Sequence, residues 1–188
     1  MRVCTFAVCD VTGSVETDFT MGKSLGYSGD AVNTSTTSDL MVRKTGAGTM
    51  RLNGVVNLKG GHLQIEGGTW LLGASDITKP NDTCTLSGGT LAAGANTAND
   101  VGELTVGEAG GTIDVGSEST LSFADSSGAT WRGRVIVKGF RDKTIRFGTS
   151  SSGLTDDQQK MLRTESGARL HLLSDGYLST FGTMFIIQ

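Results

Sequence analysis

A glycine-threonine step followed by alternating apolar residues returns four times in the middle of this chain. The copies are Gly48-Thr49-Met50-Arg51-Leu52, Gly68-Thr69-Trp70-Leu71-Leu72, Gly89-Thr90-Leu91-Ala92-Ala93 and Gly111-Thr112-Ile113-Asp114-Val115. Successive threonines stand 20, 21 and 22 residues apart, and a near-constant period of this size marks stacked coils. Within each copy the apolar residues alternate with period two, as on a strand, and the three- and four-residue spacing of an amphipathic helix is missing. Met50 and Leu52, Leu63 and Ile65, Leu104 and Val106, and Ile113 and Val115 are expected to point inward, with Arg51, Gln64, Thr105 and Asp114 facing solvent.

The choice of glycine and threonine at the corner has a physical reason. A flattened coil turns sharply several times per circuit, and glycine reaches the positive φ values such turns demand. Threonine opens the next strand, where its β-branched side chain suits the pleat. Further strands are predicted at residues 55–58, 62–65, 83–86 and 103–106, giving two or three strands per coil. Coils stacked in this way pair strand on strand in parallel along the axis, around a narrow column of Leu, Ile, Val, Met and Ala. Residues 28–39, rich in Ser, Thr, Asn and Asp, are expected as a loop between coils. Residues 75–83, with Pro80, and 94–100 break the pattern and are expected to project as loops.

Beyond Ser117 the strands carry bulkier residues: Leu121 and Phe123, Trp131, Val135 to Val137, and Ile145 to Phe147. These suit the closing end of a stack. The segment from Leu154 to Arg163 is the one convincing helix. Thr155 and Gln158 form a capping box, Asp156 and Asp157 complement the N-terminal dipole, and Lys160 and Arg163 complement the other end. A hairpin is predicted next, with strands over 168–173 and 177–179 around Ser174-Asp175-Gly176. The apolar run Met184 to Gln188 is expected as an edge strand. The whole reads as one all-β domain, with solenoid coils over 1–150 and a cap of short helix plus hairpin over 151–188.

Composition excludes several function classes. The 188 residues suffice for a substantial core without metal or disulfides. The net charge of −3 leaves no basic face for a phosphate backbone, which argues against a nucleic-acid partner. No window approaches the roughly 18 consecutive apolar residues of a membrane helix, and Asp10 interrupts the N-terminal apolar run too early for a secretory signal. Because the pattern is already under way near the start, Met1 is expected to open a fragment of a longer chain. Cys4, Cys9 and Cys84 form no Cys-x-x-Cys pair, and only His62 and His171 accompany them, so no metal set is legible. The cysteines are expected to be small buried residues, with a Cys4–Cys9 bridge as the alternative in an oxidising compartment. Gly46-Ala47-Gly48 opens no helix and so makes no phosphate cradle, and no cofactor site is expected.

Two groups of side chains are candidates for function. Arg132, Arg134, Arg141 and Arg146 cluster in sequence with Trp131 and Phe140 nearby, a combination that could bind acidic glycans through charge and stacking; the alternative is a solvated strand face. Asp100, Glu103, Glu108 and Asp114 are the acids a polysaccharide lyase or hydrolase would recruit from neighbouring coils, although no pair is fixed by spacing and solvated loop acids are the common case. His62 and His171 each stand without a partner motif.

One stretch has a more specific likeness. Lys44-Thr45-Gly46-Ala47-Gly48-Thr49-Met50-Arg51-Leu52-Asn53-Gly54, followed by Gly60-Gly61 and then Gly67-Gly68-Thr69-Trp70-Leu71-Leu72, resembles the autotransporter-associated β-strand repeat. In that repeat a Lys-Thr-Gly-x-Gly-Thr-Leu phrase precedes a Gly-Gly and a Gly-Gly-Thr-Leu phrase, and Met50 and Trp70 stand here where leucine is usual. The tail from Ile145 to Leu178 is similar to the segment that ends such solenoids. The resemblance implies a right-handed parallel β-helix displayed outside a bacterial cell, as the stalk or adhesin of a surface or secreted protein. It supplies no catalytic residues. The implied partners are neighbouring domains of a longer chain, and glycans or a host surface.

Overall fold

The computed structural model describes residues 2–11, 13, 16–26, 40–58 and 60–180. The expected loop at 28–39 and the expected edge strand at 184–188 lie outside the described residues. Parallel strands wind into a β-solenoid of about five turns, and each complete turn has three faces. The first face stacks Arg2–Ala7, Leu40–Thr45, His62–Ile65, Thr83–Leu86 and Leu104–Val106. The second stacks Phe19–Met21, Thr49–Leu52, Thr69–Leu72, Thr90–Ala93, Gly111–Val115, Val135–Lys138 and Leu162–Thr164.

The register of the second face is the one its sequence period demands. Thr49 pairs with Thr69, Thr69 with Thr90, and Thr90 with Thr112. On the inner side of the same face, Met50, Trp70, Leu91 and Ile113 form one column, each wholly buried. Leu63, Ile65, Leu104 and Val106 are buried from the first face, and Gln64, Arg51, Thr105 and Asp114 are only half-buried. Stacking identical alternations in register buries every inward side chain against the coils on either side, at roughly 1.5–3 kcal/mol for each large apolar residue. At the corner, Gly68 takes φ +57°, and a Cβ there would collide with the Gly48 carbonyl one coil away. Glycine is required at that position for both reasons.

The third face corrects the sequence reading of residues 75–83 and 94–100. It is built from Leu25–Gly26, Val56–Asn57, Ala98–Val101, Thr120–Phe123 and Ile145–Phe147. Residues 76–78 fill its middle: Val56 N–H donates to the Ile77 carbonyl and Asp76 N–H to the Ala98 carbonyl. Ile77 lies in the core at 1% exposure. Both segments expected to project as loops therefore supply a wall of the coil. Their alternation was hidden because an inward position on Ala98–Val101 is held by Asn99, which is 3% exposed.

At the C-terminal end the column closes with aromatic rings. Phe123 stacks on Phe147 at 4.7 Å between centroids, and Trp131 meets Phe147 edge-on at 6.1 Å. The helix spans Asp156–Met161 and has the expected capping box between Thr155 and Gln158. It ends earlier than predicted, because Leu162–Thr164 rejoins the second face beside Val135–Val137. Gln158 Nε2 donates to the carbonyls of Ser126 and Ala129, both at 2.8 Å, fastening the helix to the coil beneath. The hairpin pairs Leu170–Leu172 with Leu178–Thr180 in antiparallel fashion. Its turn crosses the last rung of the third face, where Phe147 N–H donates to the Gly176 carbonyl.

Candidate functional site

Several polar side chains inside the coil join one turn to the next. Lys44 faces inward, is 0% exposed, and donates from Nζ to the carbonyls of Thr45, Gly46 and Gly67 at 3.1, 3.0 and 2.9 Å. An ammonium has three protons to donate, and all three are used. Burial lowers the Lys44 pKa, and the Asp18 carboxylate opposes that shift. Asp82 accepts from Leu58 N–H and Gly60 N–H, both at 2.9 Å, while burial raises its pKa against those bonds. Asn99 accepts from Ile77 N–H and donates to the Ala74 carbonyl. Ser126 accepts from Leu104 N–H, and Ser119 accepts from Thr97 N–H while donating to the Gly94 carbonyl. Each bond to a neighbouring turn spans 22 to 25 residues, about one turn, so these side chains staple adjacent corners.

The residues singled out for glycan contact do not form one surface. Trp131 sits in the core at 7% exposure and donates from Nε1 to the Leu104 carbonyl at 2.8 Å. Arg132 and Arg134 are exposed at the corner before Val135–Lys138, with Arg132 3.8 Å from Glu108. Arg141 lies beyond the other end of that strand and donates to the carbonyls of Gly116 and Gly139. The four acids are likewise spread. Asp100 stands on the third face, Glu103 and Glu108 at two different corners, and Asp114 on the second face opposite Lys138. Among the described residues no three metal-ligating side chains come together. His62 Nδ1 shares a hydrogen bond with the Thr83 hydroxyl one coil on.

The cysteines divide. Cys84 is wholly buried, and burial pushes its thiol up to about 12. Cys4 and Cys9 are exposed free thiols, which corrects the expectation that all three are buried and rules out a bridge in this structure. They lie on the outermost described coil, where an inward-pointing position has a neighbouring turn on one side only.

Two grooves lie on the outer surfaces of the second and third faces. One runs along the second face with a volume of about 400 Å³, floored by Thr49, Thr69, Thr90, Leu71 and Ala92 and ending at Asp114 and Lys138. The other, about 200 Å³, lies on the third face and is lined by Pro80, Asp100, Ser122, Arg146 and Thr149, with Phe123 beneath. Asp100, Ser122 and Arg146 occupy a single register column on three successive coils. Sequence reasoning named Asp100 and Arg146 separately but could not join them, because a column exists only once the coils are stacked.

No protein-family profile, curated protein or solved structure matches this chain. The parallel β-solenoid is therefore established by its own register, and function has to be argued from what its surfaces and staples can do.

Proposed function

We propose that this chain is a non-catalytic structural and display module of a bacterial cell-surface or secreted protein: a rigid β-helical stalk of adhesin type. The observation that carries this reading is the fate of its buried polar groups. Lys44, Asp82, Asn99, Ser119 and Ser126 are all committed to bonds with main-chain atoms, most of them on the adjoining coil. Such investment supports rigid reach and leaves these groups unavailable for acid-base chemistry. Lys44 also gives the Lys-Thr-Gly phrase of the resembled repeat a physical rationale, since the lysine ties that corner to the next one. The dispersal of Asp100, Glu103, Glu108 and Asp114 over different faces and corners favours display over glycan cleavage.

In this reading the partners are neighbouring domains of a longer chain and glycans or a host surface. Nucleic acid is not a partner, and the module itself does not insert in a membrane. Exposed Arg132 and Arg134 are the candidate glycan contacts at a corner, and Arg141 contributes charge from the far end of the strand. An antibody raised against the purified chain should label intact cells of the source bacterium, and labelling only after permeabilisation would overturn surface display. Incubation with a panel of polysaccharides should release no reducing or unsaturated ends. Depolymerisation would replace the stalk with a carbohydrate-active enzyme.

A further inference from the structure

The cleft on the third face has two features that its role as a wall of the coil does not explain. Arg146 points outward from Ile145–Phe147, half-buried, and its Nε is buried with no hydrogen-bond partner. Among the described residues no carboxylate pairs with its guanidinium. A buried donor left unmade costs free energy; closed off from solvent, Nε cannot itself take a ligand from the cleft, which would meet the terminal Nη groups of the guanidinium instead. The group is also held in place: its Cζ lies 5.8 Å from the centre of the Tyr177 ring, and the hairpin turn that carries Tyr177 is bonded to the strand. A cation resting on an aromatic face, with its planar fork free, is arranged for bidentate binding of a carboxylate.

The second feature is the row. Ser122 is in register with Arg146 on the next coil, and Asp100 is in register with Ser122 on the coil after that. Among the described residues Asp100 has no hydrogen-bond or ion-pair partner of its own. Strand spacing puts the backbone positions of Asp100 and Arg146 roughly 9.5 Å apart. An anion alone would use only one end of it. A ligand that satisfies all three presents a carboxylate to Arg146 and, further along, hydroxyl donors to Ser122 and Asp100. Main-chain amides of these strands are already used in the ladder, so an extended peptide could not add by backbone pairing.

We infer that the third-face cleft formed by Asp100, Ser122 and Arg146 binds an acidic saccharide, with a uronate carboxylate on Arg146 and sugar hydroxyls on Ser122 and Asp100. This rests on the glycan-contact part of the reading above and moves that contact from the corner arginines to a built site. Tyr177 is a positioning residue, fixing the plane of the guanidinium.

Titration calorimetry of the full chain with a galacturonate pentamer tests the assignment, using a neutral galactose pentamer and pentaglutamate as competitors in kind. The acidic sugar should bind, and both comparison ligands should bind at least about tenfold more weakly. Arg146→Gln should weaken binding by about tenfold or more, and Arg146→Lys should recover only part of it, because an ammonium lacks the fork. Asp100→Asn and Ser122→Ala should each weaken it several-fold. Lys143→Gln, at an exposed site outside the cleft, should change nothing, and circular dichroism should confirm that every variant keeps its strands. Undiminished binding by both Arg146 variants would overturn the site, as would equal binding of pentaglutamate. If affinity instead disappears in an Arg132→Gln, Arg134→Gln double variant and survives Arg146→Gln, the glycan reading stands and the third-face cleft does not. If the unmodified chain binds no acidic sugar, both fall.

Discussion

The Lys44 ammonium donates to the carbonyl of Gly67, 23 residues further along the chain, at 2.9 Å. A charge at an inward position of a narrow apolar column is tolerated because its protons all meet carbonyl oxygens. Replacing it with methionine, which matches its length, keeps the packing and removes the donors. Lys44→Met should therefore cost about 2 kcal/mol in urea unfolding, through the loss of charge-assisted bonds and the stranding of buried carbonyls. Unchanged stability would mean that water serves those carbonyls equally well.

Asn99 occupies an inward position on the third face where a hydrophobic residue would be the simple choice. Its amide serves Ile77 N–H and the Ala74 carbonyl on the preceding coil. Asn99→Ala leaves both groups unpaired and should destabilise the domain by about 2 kcal/mol. Asn99→Asp, which keeps the acceptor and loses the donor, should also destabilise it. A midpoint within error of the unmodified chain for either variant would remove Asn99 from the stapling role.

Two carboxylates should bend the pH dependence of stability in opposite directions. Burial raises the Asp82 pKa in the folded state, so folded protein holds that proton more tightly than unfolded protein. Its contribution is complete below the ordinary carboxylate range and is lost as pH rises through the shifted value. The Ser127 hydroxyl and amide lower the Asp125 pKa, so its contribution is present above the ordinary value and lost as pH falls through the shifted one. Urea midpoints followed from about pH 3 to 7 should lose the falling component in Asp82→Asn and the rising component in Asp125→Asn. Identical profiles in all three proteins would contradict both assignments.

Thiol reactivity should report the ends of the stack against its middle. Cys4 and Cys9 are exposed, whereas Cys84 is buried with its thiol pushed up to about 12. Iodoacetamide at neutral pH should alkylate the first two and spare the third until denaturant is added, as read by peptide mass spectrometry. Native-state labelling of Cys84 would show that the column opens locally.

How much of this could be read in advance depended on which residues carried the pattern. The second face was legible because Thr49, Thr69, Thr90 and Thr112 repeat a recognisable corner and their inward neighbours are apolar. The middle of the third face, at residues 75–83 and 94–100, was not, because Asn99 points inward and Ile77 stands beside a proline-containing segment. Both disrupt the alternation that betrays a strand. Trp131 was read as a surface residue from the arginines beside it, yet its ring packs on Phe147 and its N–H reaches Leu104. Local charge says little about which way a large aromatic side chain turns. Lys44 was visible as a motif residue, but its inward direction became clear only when Gly67 arrived opposite it from the following coil.

The reach of the stapling bonds has a mechanical consequence. Since each corner clasps only its immediate neighbour, strain or chemical damage at one rung is passed no further than the adjoining pair. Such a rod frays from its extremities while the middle rungs hold, and its length can change by whole rungs without redesign of the remainder.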